Sequence, residues 1–231
     1  LPSGDWMINS IEGFNKKANE MFFYATKDSP LEQNLYAYNF KNGKIRRCTP
    51  EKGTHHAQFN TEGTLFLDTY TSSTEPRRVA LYDNKGKQVK EIYKSENPWA
   101  DLDMPEIDVF TIKAKDGTDL YARMIKPLNF DATKKYPVIV YVYGGPHAQL
   151  ITESWLSGAN NFFLFLAQQG YIVWTVDSRG SANRGFEFES AIWRNCGSIE
   201  VSDQMDGVNY LKSLPYVDEN RIGVDGWSYG G

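Results

Sequence analysis

Six residues near the carboxyl end, Gly226-Trp227-Ser228-Tyr229-Gly230-Gly231, hold a spacing that can support covalent chemistry. A serine hydroxyl is a poor nucleophile until its backbone stands it clear of neighbouring chain and a base takes its proton. G-x-S-x-G meets the first condition. The serine occupies a strained strand-to-helix turn, and the flanking glycines remove side chains that would strike adjacent strands. The next backbone N–H, that of Tyr229, points toward the place where an oxyanion would develop. A chance G-x-S-x-G in a glycine-bearing loop is the plainer alternative. The strand-like run Arg221-Ile222-Gly223-Val224-Asp225 directly before it favours Ser228 as a nucleophile.

An oxyanion needs a second donor, from a loop after an earlier strand. Val142-Tyr143-Gly144-Gly145-Pro146-His147 follows such a strand, and the Tyr143 phenol could donate there. A core tyrosine beside a glycine turn fits the same residues equally well. A base is harder to find, since the three histidines are His55, His56 and His147. The first two fall in a strand-rich region and read as structural. His147 lies close to Tyr143 in sequence, but no motif places a base there.

The elements that must position these residues follow from hydrophobic patterning. Pro137–Val142 and Tyr171–Val176 are nearly continuous apolar runs, as buried parallel strands require. A helix is expected near 161–169, ended by Gly170, and another over 198–214, ended by Pro215. In the second helix Val201, Met205, Val208 and Leu211 share one face and form its expected core side. Strand, helix and strand in alternation imply a parallel sheet with crossover helices. Before it, Ile107–Ile112 and Leu120–Ile125 read as a hairpin turning at Lys115-Asp116-Gly117.

Residues 1–103 have a different character. Short aromatic and β-branched runs, such as Met21–Thr26, Asn34–Tyr38, Leu65–Tyr70 and Val79–Tyr82, alternate with turn residues. Asn42-Gly43 and Asn84-Lys85-Gly86 are hairpin signals. Pro30, Leu35-Tyr36 and Gly43-Lys44 are echoed by Pro76, Leu81-Tyr82 and Gly86-Lys87, with a 46-residue offset from Pro30 to Pro76. A period of about 40–50 residues carrying several short strands marks β-propeller blades. The expected architecture is therefore mixed β and α/β. All-β blades from the end of a β-propeller occupy 1–103, and the amino-terminal part of an α/β-hydrolase domain, ending just after the nucleophile, occupies 104–231.

Composition excludes several classes. The 231 residues are 41% hydrophobic, 23% charged and 14% aromatic, which is ordinary globular usage rather than disorder. A net charge of −4 leaves no basic field for nucleic acid. No run of 18 apolar residues reads as a membrane span. The start, Leu1-Pro2-Ser3-Gly4-Asp5, has neither the basic nor the apolar region of a signal peptide and reads as a chain beginning within a domain. Cys48 and Cys196 are too far apart in sequence for a metal cluster or disulfide framework, and are expected to be buried free thiols.

Together, Tyr143-Gly144-Gly145-Pro146, Asp177-Ser178-Arg179-Gly180-Ser181 with Gly185, and Gly226-Trp227-Ser228-Tyr229-Gly230-Gly231 resemble the prolyl oligopeptidase family of serine peptidases. The likeness to its dipeptidyl peptidase IV branch extends through Phe23–Thr26, Ser29–Glu32, Glu200–Gln204 and Val217-Asp218. The resemblance implies that Ser228 is acylated and that the Tyr143 hydroxyl and the Tyr229 N–H form the oxyanion hole. It implies that Trp227 and Tyr229 wall the substrate proline. Arg179, although in a family motif, reads as an arginine that fixes loops beneath the site.

The resemblance further implies an exopeptidase releasing amino-terminal dipeptides with Pro or Ala second, without metal or organic cofactor. It suggests an extracytoplasmic setting, periplasmic or at the cell surface. The acid and histidine of such a triad follow the serine in chain order. This chain therefore reads as part of a longer peptidase, inactive alone, and an incomplete sheet should make it associate with itself or with the rest of that peptidase. Another family peptidase, acylaminoacyl or tripeptidyl, and a non-catalytic interaction module are the competing readings.

Overall fold

The computed structural model describes residues 2–231. The chain forms two compact units. One contains the residues up to Pro98 together with Thr152–Leu156, and the other contains Trp99–Ile151 and Ser157–Gly231.

The first unit holds two four-stranded antiparallel sheets, each strand paired with its neighbour in sequence. The first sheet is β1 (Ile8–Asn15), β2 (Glu20–Ala25), β3 (Asn34–Asn39) and β4 (Ile45–Arg47). The second is β5 (Thr54–Phe59), β6 (Leu65–Thr71), β7 (Arg78–Asp83) and β8 (Gln88–Lys94). The 46-residue repeat thus sets Leu35 of β3 against Leu81 of β7, the third strand of each sheet. This is the meander of propeller blades. Aromatic rings fill the core between the two sheets: Phe22 stacks on Phe59 at 4.4 Å and Phe66 on Tyr82 at 5.4 Å. His55, fully buried, bonds Asp68 at 2.7 Å and the Glu51 carbonyl at 3.0 Å, which confirms its structural reading. Residues 152–156 join this unit through Glu153, whose carboxylate accepts from the Ser73 N–H and hydroxyl at 3.0 and 2.6 Å.

The second unit is one five-stranded mixed sheet. Its strands are β9 (Ile107–Lys113), β10 (Asp119–Ile125), β11 (Tyr136–Val142), β12 (Ile172–Asp177) and β13 (Val217–Gly226), in the order β13-β11-β12-β10-β9. Strand β11 pairs in parallel with β12 and β13, while β10 pairs antiparallel with both β12 and β9. All six residues of β12 are buried, because helices cover both sheet faces there. On one face Val173 and Ile125 meet Phe163 and Ala167 of α1 (Asn161–Gln168). The Asn160 side chain caps α1 by accepting from the Phe163 N–H at 3.0 Å. On the other face Trp174, Val140 and Met124 meet Leu211. Between these helices lies the short α2 (Phe186–Ser190), which the sequence pattern did not reveal, and Leu211 belongs to α3 (Ile199–Ser213).

Two expectations need correction. The inward face of α3 is only half the expected one: Val208 and Leu211 pack on the core, but Val201 and Met205 are exposed, and Glu200, Asp203 and Gly207 are buried in their place. The reason is close approach. A Cβ on Gly207 would lie 3.0 Å from Val176 and 3.1 Å from Trp174, so the helix turns its smallest residue to the sheet. The cysteines are not both buried either: Cys48 is, but Cys196 is exposed. Among the described residues no helix is long and apolar enough to cross a membrane.

Candidate active site

Strands β11 and β13 run side by side in parallel, and their last residues, Val142 and Gly226, are register partners. The loops that follow, 143–147 and 227–231, therefore leave the same edge of the sheet, where α/β proteins place their sites. Tyr143 and Tyr229, 86 residues apart in sequence, meet there with ring centroids 6.3 Å apart.

The Ser228 turn has the geometry its motif requires. Ser228 has φ +57°, a left-handed conformation that an L-residue holds only against steric cost. The turn closes by hydrogen bonds from Gly230 N to the Trp227 carbonyl at 2.9 Å and from Gly231 N to the Ser228 carbonyl at 3.1 Å. A Cβ on Gly226 would lie 2.0 Å from the Gly230 oxygen, and one on Gly230 would lie 2.0 Å from the Val142 oxygen. The turn thus rests directly on the strand that leads to Tyr143. Ser228 is exposed, as are Trp227 and Tyr229.

Residues 150, 151 and 157, downstream of the Tyr143 loop, are seated by buried charge. Arg123, on β10 and almost wholly buried, donates to the carbonyls of Leu150 and Ser157 at 3.0 and 2.7 Å and to the Thr175 hydroxyl at 3.1 Å. Asp177, at the end of β12, accepts from the N–H groups of Leu150 and Ile151 at 2.9 and 3.0 Å. Burial pushes the Asp177 carboxyl up to about 6, against those two N–H bonds and the field of Arg123. Burial also draws the Arg123 guanidinium down to about 10, partly countered by Asp177. Tyr143 itself is half-buried, so it is not a core tyrosine.

A second support holds Tyr229. Its hydroxyl donates to Glu200 at 2.8 Å, and that carboxylate also accepts from the N–H groups of Gly197 and of Ser198, the latter at 3.2 Å. Desolvation would raise Glu200, but these bonds outweigh it and hold the carboxyl low. A hydrogen bond with the Cys196 thiol, and then the bond to Glu200, push the Tyr229 phenol above its ordinary range. Sequence patterning missed Glu200 because it occupies a position that apolar periodicity assigns to solvent. Its place in Glu200-Val201-Ser202-Asp203-Gln204 was the available signal.

Arg179 behaves as a loop anchor. Its guanidinium reaches Asp203 at 2.6, 3.0 and 3.2 Å and Asp116 at 2.5 Å, and its own N–H adds a 2.8 Å bond to Asp203. The hydrogen bonds from Thr118 and then Arg179 draw Asp116 down to about 2. The histidines do not join Ser228. His55 is committed to Asp68, His56 lies on β5 of the first unit, and exposed His147 pairs with Glu189. Among the described residues no cluster of three His, Cys, Asp or Glu side chains comes together as metal ligands would.

Comparison with known proteins agrees with this geometry. Residues 158–231 match the model of the prolyl oligopeptidase family, and residues 1–77 match that of the dipeptidyl peptidase IV N-terminal region. Human dipeptidyl peptidase 8 is 36% identical over 248 residues, spanning 100% of this chain and 27% of the relative. The mouse protein of that name is 33% identical, with 100% and 28% covered. Among solved structures, a candidate dipeptidyl aminopeptidase IV from Bacteroides ovatus superposes with TM-score 0.92 at 46% identity, covering 99% of this chain and 33% of that one. Porphyromonas gingivalis dipeptidyl peptidase 4 gives TM-score 0.92 at 29% identity, covering 99% and 32%. The chain therefore spans about a quarter to a third of the length of the relatives it matches.

Proposed function

The chain belongs to the prolyl oligopeptidase family, in its dipeptidyl peptidase branch, and from that premise we propose that it carries the nucleophile of a serine exopeptidase releasing amino-terminal dipeptides with Pro or Ala second. The observation that carries this reading is Ser228, exposed at φ +57° on a turn wedged against Val142. In the proposed reaction the Ser228 oxygen forms a bond to the scissile carbonyl carbon as its proton passes to a base. The carbonyl oxygen takes the negative charge, accepting hydrogen bonds from the Tyr143 hydroxyl and the Tyr229 N–H. Collapse breaks the peptide bond, the base returns the proton to the departing amine, and water then hydrolyses the dipeptidyl ester. Trp227 and Tyr229 wall the second residue. Glu200 acts through Tyr229, as a positioning residue.

A base is the missing part within these 231 residues, since His55 and His147 hold other carboxylates. We therefore expect the isolated chain to be inactive, and the longer protein that carries it to be active. A fluorophosphonate probe with intact-mass readout tests both. The longer protein should gain one adduct, lost in Ser228→Ala, while the isolated chain gains none. Labelling of the isolated chain would overturn its inactivity, and an unlabelled Ser228 in the longer protein would overturn the nucleophile. Release of dipeptides rather than acetylated residues or tripeptides, from a matched substrate set, distinguishes this reading from its family alternatives. An extracytoplasmic setting and self-association through the sheet edge at β13 complete the proposal.

A further inference from the structure

A cavity of about 970 Å³ in the second unit adjoins the candidate site and has no role in the reaction above. Pro146 and His147, continuing the Tyr143 loop, form one wall, and Phe186, Ile192, Trp193 and Cys196 form the other. Two contacts make this space continuous with the site. A Cβ on Gly145, next to Pro146, would lie 2.8 Å from both the Tyr143 and the Tyr229 ring, so the loop threads between them. Cys196, on the opposite wall, directly precedes Gly197, whose N–H donates to the Glu200 carboxylate that also holds the Tyr229 hydroxyl.

The chemistry of the lining is apolar. Phe186 and Trp193 are 82% and 73% exposed, large ring surfaces left in water at the cavity's margin. Its ionic groups are engaged: Glu189 pairs with His147, and the Arg194 guanidinium lies 5.6 Å above the Trp193 ring. Exposed apolar surface of this kind, next to a reactive group, marks a binding site.

We infer that this cavity receives an apolar side chain of the peptide on the leaving-group side of the scissile bond, making Phe186 and Trp193 specificity-determining residues. The inference rests on the dipeptidyl peptidase reading and names a preference which that reading leaves unset. Size rules out the second residue, and the substrate's first residue is the alternative that the test separates. Pockets that enclose a whole drug-sized ligand measure about 300–1,000 Å³. A prolyl ring or an alanyl methyl would leave most of this cavity empty, whereas the departing peptide carries side chains of every size.

The test uses the longer protein and peptides that share one dipeptide, Ala-Pro, and vary the next two residues from Gly to Leu to Phe. All members form the same acyl-enzyme, so a leaving-group pocket changes kcat/KM and leaves the deacylation rate common to the series. Burying a large apolar side chain should raise kcat/KM for Phe over Gly by about tenfold or more. Trp193→Ala and Phe186→Ala, both at exposed positions, should bring that ratio toward one while the Gly peptide keeps its wild-type rate. A wild-type ratio near one overturns the inference, as does an equal fall for Gly and Phe peptides in the variants. So does a second series, with Gly fixed in the leaving peptide and the first residue varied from Gly to Leu to Phe, in which kcat/KM rises with that residue and the rise is lost in the same variants, because the cavity then serves the acyl side. Failure of the underlying reading looks different: no dipeptide is released from any member and Ser228 takes no probe.

Discussion

In the first unit every strand pairs with its sequence neighbour, whereas in the second β11 pairs with β12 and β13, strands that begin 36 and 81 residues after it. The blades are stabilised by local ladders and aromatic stacking, and the buried hydrogen bond of His55 with Asp68 closes within 13 residues. The second unit spends buried charge over longer spans: Arg123 reaches Thr175 and Asp177 reaches Leu150, each to seat a loop. Repeated local pairing can be copied from blade to blade. A site that joins Tyr143 to Ser228 needs crossover connections, and its supports are single polar contacts that are costly to lose.

That contrast can be broken most sharply at Gly230. Alanine there would drive a Cβ to 2.0 Å from the Val142 oxygen and 3.1 Å from the Tyr143 Cα, separating the two loops of the site. In the longer protein Gly230→Ala should cut fluorophosphonate labelling of Ser228 by about 100-fold or more. Hydrogen exchange in β1–β8 should stay as in the wild type. Protection lost across both units would mean that they are not independent in the way their separate cores suggest.

The buried charge of the second unit gives the next effect. Asp177 is raised to about 6, so the folded chain holds this proton more tightly than the unfolded chain does. The corresponding stability is complete below the unfolded carboxyl range and is lost as pH climbs through about 6. Between about pH 4 and pH 7 the wild type should lose on the order of 3 kcal/mol relative to Asp177→Asn. Thermal unfolding of both proteins across that range checks it, and a difference that is flat or grows with pH would refute it.

The smallest effect concerns the two sheet edges. Strand β8 is exposed along its whole length but is interrupted by Lys90, Glu91 and Lys94, which discourage pairing with another chain. Strand β13 ends in Gly223-Val224-Asp225-Gly226 with Val224 71% exposed. Val224→Lys should weaken self-association of the isolated chain several-fold in sedimentation, with Tm changed by little. An unchanged association constant would move the contact away from β13.

Much of this was legible in the residues. The 46-residue offset between Pro30 and Pro76, and glycines at the hairpin turns, revealed the blades because each strand's partner lies a few residues away. The run Tyr171–Val176 announced a strand buried on both faces, because its apolar residues are nearly continuous rather than alternating. The α3 face was misjudged for a related reason. Periodicity counts apolar residues, and it cannot see that Gly207 fits beneath Trp174 or that Glu200 and Asp203 are buried because Tyr229 and Arg179 supply their hydrogen bonds. Cys196 was misplaced likewise: burial of a cysteine depends on a neighbourhood that Asn195-Cys196-Gly197 does not encode locally.

Sequence by itself determined the repeat, the buried strands of the second unit and the serine on its glycine-flanked turn, since each depends on residue type and spacing along the chain. Only the tertiary structure decided what stands around that serine. The parallel register of Val142 with Gly226 brings Tyr143 to Tyr229, α3 brings Glu200 beneath them, and the loop before it opens the cavity at Trp193. These neighbours come from segments separated by tens of residues, and their meeting is set by strand pairing and helix packing, which no local pattern records.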